Sequence, residues 1–201
     1  MTVSRRYLLR AVPLIVGLGA VRGVYAASPD TLAPTPACGK SSPTPPVTEG
    51  PYFTRNSPER ASLLEAGVPG EPMVLIGRVL STACTPVAHA LLDFWQADGD
   101  GQYDNRGYRL RGHQFTDAEG RFRLETVVPG LYAGRARHLH MKVQAPAKSI
   151  LTTQLFFPGE RGNARDSMFM PALLMDIVES SGAESGGRKS ARFDFVVNAS
   201  S

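Results

Sequence analysis

From about residue 73 onward, short apolar stretches alternate with turn signals. The clearest is Arg121–Val128, which sets Phe122, Leu124 and Thr126 against Arg121, Arg123 and Glu125. That is the period-two pattern of a half-buried strand. Met73–Leu80, His89–Gln96, His138–Gln144, Leu151–Phe157 and Ala191–Val197 also predict strands, the second with Leu91, Phe94 and Trp95 available for a core. Asp98-Gly99-Asp100-Gly101, Asp117-Ala118-Glu119-Gly120 and Pro129-Gly130 predict turns, with Asp98 and Asp100 capping local amides. Only Pro171–Glu179 predicts a helix, a short one, and residues 180–190 read as a loose surface loop. Many short strands without long helical periods predict a single-domain, all-β sandwich. The 20 glycines and 16 prolines agree with frequent turns.

The first 26 residues follow a different logic. Arg5-Arg6 and Arg10 open a positive segment, Ala11 to Ala20 is apolar, and Val24-Tyr25-Ala26 precedes a plausible cut. This is the pattern of a secretory signal peptide. The apolar run is shorter than the roughly 20 residues needed to span a bilayer. The paired arginines resemble a twin-arginine signal, so the expected destination is export, in the periplasm, with the membrane met only during export. Residues 27–47, rich in Pro, Ser and Thr, read as an extended linker on the surface, leaving 48–201 as the folded domain.

Charge changes little once the signal is set aside. Arg5, Arg6, Arg10 and Arg22 account for the formal net charge of +4, and the remaining basic and acidic residues balance. No basic surface argues for a nucleic-acid partner. The two cysteines, Cys38 and Cys84, read as a disulfide if the chain is exported and as two thiols if it is not. A bridge would close a long loop, worth roughly 4 kcal/mol by chain entropy.

His138-Leu139-His140 is the sharpest local signal. On a strand, residues two apart share a face, so both rings can reach one metal ion. The bare tripeptide fits equally two satisfied histidines on one face. Arg135 and Arg137 precede it and would disfavour imidazolium, keeping the rings neutral as ligands require. Tyr132 lies just past the Pro129-Gly130 turn and Tyr103 further upstream. A phenol with pKa about 10 needs a strong Lewis acid to be held as phenolate at neutral pH. Two phenolates with two imidazoles would suit a hard ion such as ferric iron. Spacing alone does not bring the tyrosines to the histidines, and His89 and His113 read as non-ligands.

Several strings together resemble the intradiol ring-cleavage dioxygenases. They are Thr48-Glu49-Gly50-Pro51-Tyr52-Phe53; Asp93-Phe94-Trp95-Gln96-Ala97-Asp98 with Gly101 and Tyr103; Arg111-Gly112-His113-Gln114-Phe115-Thr116-Asp117 running into Gly120-Arg121-Phe122; Pro129-Gly130-Leu131-Tyr132 with Arg135-Ala136-Arg137-His138-Leu139-His140; and Leu151–Phe157. The resemblance spans roughly residues 48 to 197 and is strongest to the short, exported, protocatechuate dioxygenase-like branch. It implies the family's prealbumin-like β-sandwich and Fe(III) held by Tyr103, Tyr132, His138 and His140. It also implies cleavage of a catechol-type ring with O2 to a muconate-type diacid. By the same resemblance Arg135 steadies the bound substrate, Gln154 lines the pocket, Tyr132 doubles as a proton acceptor, and Gly50, Pro51 and Tyr52 form a loop beside the substrate. The stretch from Tyr132 to Arg135 is shorter than in the larger members, so the pocket mouth differs.

Two other classes fit parts of the pattern. A metal-free, prealbumin-like binding module explains Gly77, Pro86 and the turn strings but not Arg135, His138, His140 and Gln154 together. A two-histidine-one-carboxylate or copper/zinc sandwich enzyme needs a different donor set, with Asp93, Asp98 or Asp117 supplying the acid from another strand.

Overall fold

The computed structural model describes residues 42–178 and 189–199. The expected signal peptide, most of the linker, Cys38 and residues 180–188 of the expected loop lie outside them.

The strand pattern folds into two sheets. One holds β4 (Arg121–Val127), β1 (Pro72–Ser81), β8 (Lys189–Arg192) and β7 (Asp176–Val178) in that order, with β9 (Phe195–Val197) pairing the later part of β1. The other runs β3 (Arg111–Phe115), β2 (Leu91–Trp95), β5 (His138–Gln144), β6 (Ile150–Phe156), all antiparallel. The inner faces of the two sheets supply Leu75, Phe122, Leu124 and Phe195 from one side and Leu92, Phe94, Leu139, Met141 and Leu155 from the other. Each such side chain contributes roughly 1.5–3 kcal/mol when fully buried. The expected all-β sandwich is therefore the observed fold.

Four local expectations need correction. Phe94 and Trp95 cannot share the core, because neighbours in a strand point to opposite faces. Leu92 and Phe94 face the core, while Leu91 and Trp95 take the other face. Pro171–Glu179 is not a helix: Pro171–Leu173 forms one 3₁₀ turn and the chain then enters β7. Leu173 and Met175 are buried at spacing two, and the Met175 N–H donates to the Phe156 carbonyl, so strand pairing takes the segment. The expected last strand is split at Phe193-Asp194. A side chain at Gly77 would meet the Phe193 carbonyl oxygen at 1.8 Å, so the bulge presses against β1 where only glycine admits it. The Asp194 carboxylate then accepts the Arg78 N–H. Finally, Arg111–Phe115 is a strand that periodicity missed, since Gly112 and three polar residues interrupt its apolar pattern.

The described end of the Pro-rich segment is stitched to both sheets. The Thr44 N–H donates to the Val196 carbonyl, the Val47 N–H to that of Thr152, and the Thr153 hydroxyl to that of Pro45. Cys84 sits at φ 63 in the turn after β1; its expected partner Cys38 lies outside the described residues.

Three loops at one end of the sandwich meet main chain to main chain. The Gly99 N–H donates to the Pro69 carbonyl, and the Gly130 N–H to that of Asp98 at 2.7 Å. The Asp98 carboxylate caps the N–H groups of Asp100 and Gln102. A Cβ on Gly101, which sits at φ 80, would lie 2.1 Å from the Leu131 carbonyl oxygen. These contacts dock the loop carrying Tyr103 onto the loop carrying Tyr132. Gly101→Ala is expected to destabilise the protein by about 2 kcal/mol or more, from left-handed strain plus the clash. Urea unfolding checks it, and an unchanged midpoint would contradict the docking.

Candidate metal centre

The β3-β2-β5-β6 sheet has a second face, turned away from the core. On it one cross-strand row reads Arg111, Trp95, His140, Gln154, each paired with the next in register. All are buried although they lie outside the core, because the segment 48–57 and the loops after β2 and β4 cover them. Glu49 forms an ion pair with Lys142, whose ammonium lies 4.2 Å from the Phe53 ring centre. Phe53 in turn packs on Trp95 at 4.9 Å.

Under this cover three of the four expected donors converge, and the fourth, Tyr132, stands beside them. His138 Nε2 and His140 Nε2 are 3.1 Å apart, and the Tyr103 hydroxyl is 3.1 Å from His140 Nε2. The Tyr132 ring stands edge-on to Tyr103 at 5.4 Å. Tyr52 completes the group: its hydroxyl is hydrogen-bonded to that of Tyr132, and its ring stacks on Tyr103 at 4.4 Å.

Local structure sets each ring. His138 Nδ1 lies 2.6 Å from the Ala136 carbonyl and must donate to it, so Nε2 carries the lone pair. The His140 ring is clamped by stacking on Trp95 at 4.8 Å, and its Nδ1 is buried without a partner among the described residues. Tyr132 enters through a tight turn in which the Arg135 N–H returns to the Tyr132 carbonyl at 2.7 Å, with Ala133 and Gly134 both at positive φ. This turn closes the short stretch noted in the sequence.

Electrostatics favour neutral rings. Burial pushes His138 down to about 4, and Arg135 adds to it against the pull of the Ala136 carbonyl. Burial holds His140 well below its ordinary value, helped by His138, Arg135 and Arg111. The expectation that Arg135 and Arg137 act together is corrected here. Arg137 turns away, donating to Glu160 at 2.9 Å and to the Pro129 carbonyl. Burial also raises the Tyr103 phenol, with Arg135 opposing it, so without a cation that phenol stays protonated.

Arg135 Nη2 donates to Gln154 Oε1 at 2.7 Å, and Gln154 Nε2 donates to the Thr48 carbonyl at 3.0 Å. Arg135 Nε donates to Asp166 Oδ2 at 2.8 Å, an oxygen that also accepts the Ala136 N–H. Burial works against the Asp166 charge, but Arg135 and the N–H groups of Met168 and Ala136 outweigh it and hold the carboxyl below its ordinary value. Of the loop 50–52, Tyr52 joins the cluster, a Cβ on Gly50 would lie 3.5 Å from His140 Cε1, and Pro51 is exposed.

His89 and His113 stay outside the cluster; His113 is bonded through Nδ1 to the Ser57 carbonyl. Among the described residues no group of three His, Cys, Asp or Glu side chains could hold a metal, so no carboxylate joins the histidines. Sequence reasoning missed Trp95, Arg111 and Asp166 as parts of the site. Nothing in local spacing marks them, since each is brought in by strand pairing or by a distant loop.

The donor set fits a metal ion. Donors bound to one ion at about 2.0–2.2 Å sit about 3 Å apart, the separation found between the two imidazoles and between His140 and Tyr103.

The fold and the cluster define a β-sandwich that gathers phenol and imidazole donors on the outer face of one sheet. A family model described as "Dioxygenase" matches residues 48–199. The chain belongs to the intradiol ring-cleavage dioxygenase family, whose members use non-haem iron. It is 30% identical over 182 residues to 6-chlorohydroxyquinol 1,2-dioxygenase of Cupriavidus pinatubonensis, covering 77% of this chain and 64% of that one. It is 31% identical over 144 residues to hydroxyquinol 1,2-dioxygenase of Nocardioides simplex, covering 60% and 49% respectively. The chain thus spans between about half and two thirds of these curated relatives. Among solved structures, the dioxygenase domain of a dioxygenase carbohydrate-binding protein fusion from Streptomyces sp. SirexAA-E is 51% identical with a TM-score of 0.74. That match covers 79% of this chain and 100% of the domain.

Proposed function

We propose that this protein is a non-haem ferric dioxygenase that cleaves a catechol-type ring between its two hydroxylated carbons, with Tyr103, Tyr132, His138 and His140 holding the iron. The observation that carries the reading is the convergence of two imidazole nitrogens and a phenol oxygen at 3.1 Å spacings beside a second phenol. When bound, ferric iron supplies the Lewis acidity that holds phenols as phenolates and draws electron density from a coordinated catechol.

The chain's own groups supply the rest. Tyr132, half-buried and paired through its hydroxyl with Tyr52, would serve as the phenolate oxygen that takes a proton from a catechol hydroxyl, a general-base role. Tyr52, already hydrogen-bonded to that oxygen, would keep the Tyr132 phenol paired once it carries the proton. Arg135, held on one side by Asp166 and on the other by Gln154, stabilises negative charge developing on the substrate. Trp95, Phe53 and the segment 48–53 cover the site and exclude water, which strengthens these interactions.

The purified protein is expected to be red-brown, through phenolate-to-iron charge transfer, with one iron per chain. It should consume oxygen with a catechol, and the relatives named for hydroxyquinols put trihydroxybenzenes on the panel beside plain, carboxylated and chlorinated catechols. A colourless protein holding stoichiometric zinc, inert across that panel, overturns the reading.

A further inference from the structure

Arg111 opens β3 and is 1% exposed, among the largest fully buried side chains of the protein. Burying a guanidinium costs several kcal/mol unless hydrogen bonds compensate it, and a carboxylate is the usual partner. Here the guanidinium bonds go to main-chain carbonyls instead. Nε and Nη2 donate to the Asp104 carbonyl at 3.1 and 2.7 Å, and Nη1 donates to the Tyr52 carbonyl at 2.5 Å.

Those two carbonyls belong to the loop that carries Tyr103 and to the segment that carries its stacking partner Tyr52. Asp104 follows Tyr103 directly, and Tyr52 is the ring stacked on Tyr103. The Asp104 end is itself rigid. Its carboxylate accepts the N–H groups of Arg106, Gly107 and Arg109, which holds its pKa down to about 2. Arg111 is equally fixed at its base: its carbonyl accepts two bonds from Arg60, its N–H donates to Tyr108, and β2 pairs it to Trp95, the ring stacked on His140. One planar fork therefore ties the main chain behind both stacked phenols to the strand row that carries His140.

We propose that Arg111 is a positioning residue, a tether that holds the Tyr52–Tyr103 pair at its distance from His138 and His140. The role rests on the ferric reading for its consequence but not for its geometry. It needs the fork: three nitrogens on one rigid plane reach the two carbonyls from different directions, whereas an ammonium offers its donors from a single point on a flexible stem. Arg111→Lys keeps the charge and loses the bridge, while Arg111→Met loses both.

The test uses the full chain, iron-loaded and metal-free, with three readouts: iron release to a chelator, the charge-transfer maximum, and near-ultraviolet circular dichroism of the metal-free tyrosines. Both variants are expected to release iron on the order of 10–100-fold faster, the range for groups that orient a ligand. Both should show a displaced charge-transfer maximum and a diminished tyrosine dichroism. If Arg111→Met does not fold, Arg111→Lys decides alone. An Arg111→Lys protein that matches wild type in all three readouts overturns the tether, even if its melting temperature falls. Wild-type protein that binds no iron ends the ferric reading instead, and the dichroism of the metal-free forms still decides the tether.

Discussion

His140→Ala is expected to leave the protein folded and nearly without iron, with ring-cleaving turnover lower by on the order of 10³-fold or more. The size follows from position: outer partners of a metal ligand cost roughly 10–100-fold when removed, and a ligand itself costs more. His140 Nε2 is the point where the cluster meets, 3.1 Å from both His138 Nε2 and the Tyr103 oxygen. Its loss leaves only one imidazole. Folding should survive because the ring lies on the outer sheet face, away from the hydrophobic core, and its main-chain pairing within β5 is unaffected by the side chain. Iron analysis of the purified variant, with circular dichroism as the fold control, checks this. A variant retaining full iron and full activity would remove His140 from the ligand set and the ferric reading with it.

Asp166→Ala is expected to have the second largest effect, through Arg135. The Asp166 side chain is 0% exposed, and that of Arg135 is 22% exposed. Breaking a buried pair typically costs 3–5 kcal/mol because one charge is left unpaired. Arg135 keeps some access to water, so about 2–3 kcal/mol is the expected loss here. The change also strands the Ala136 and Met168 N–H groups that Asp166 accepts. Arg135 then has Gln154 as its remaining anchor, and turnover should fall on the order of 10–100-fold with iron content preserved.

The pH dependence carries a definite sign. The folded Asp166 carboxyl sits below its unfolded value, so its stabilisation is complete above the unfolded carboxylate pKa of about 3.9. It is lost as pH falls through the depressed folded value. The stability gap between wild type and Asp166→Ala should therefore be full at neutral pH and shrink in acid. Urea unfolding at pH 7 and at lower pH measures it, and a gap that is absent at neutral pH, or grows in acid, would contradict the assigned pair.

What could be read in advance differs from element to element. β4 and β5 were legible because alternation is a local property: Phe122, Leu124 and Thr126 are buried between the more exposed Arg121, Arg123 and Glu125, and His138 and His140 share a face two residues apart. The segment after Pro171 is a strand and not a helix because a short apolar run carries no period of its own: an isolated bridge from Leu174 to Phe156 and the pairing of β7 with β8 decide it. β3 was missed because its side chains mostly serve the outer face. His138-Leu139-His140 was visible as a pair, but whether it was a site or two ordinary histidines was not.

The chain's linear pattern by itself determined the sandwich, since period-two burial and glycine-rich turns act over a few residues. It also determined which residue types could supply phenol and imidazole donors. Only the tertiary structure decided that they meet. Tyr103 and Tyr132 come from separate loops, joined where Gly99, Gly101 and Gly130 let main chains touch. Tyr52 comes from a covering segment anchored by Arg111 and Lys142. Such contacts join residues far apart in sequence, and their energies depend on three-dimensional proximity, which no local spacing encodes.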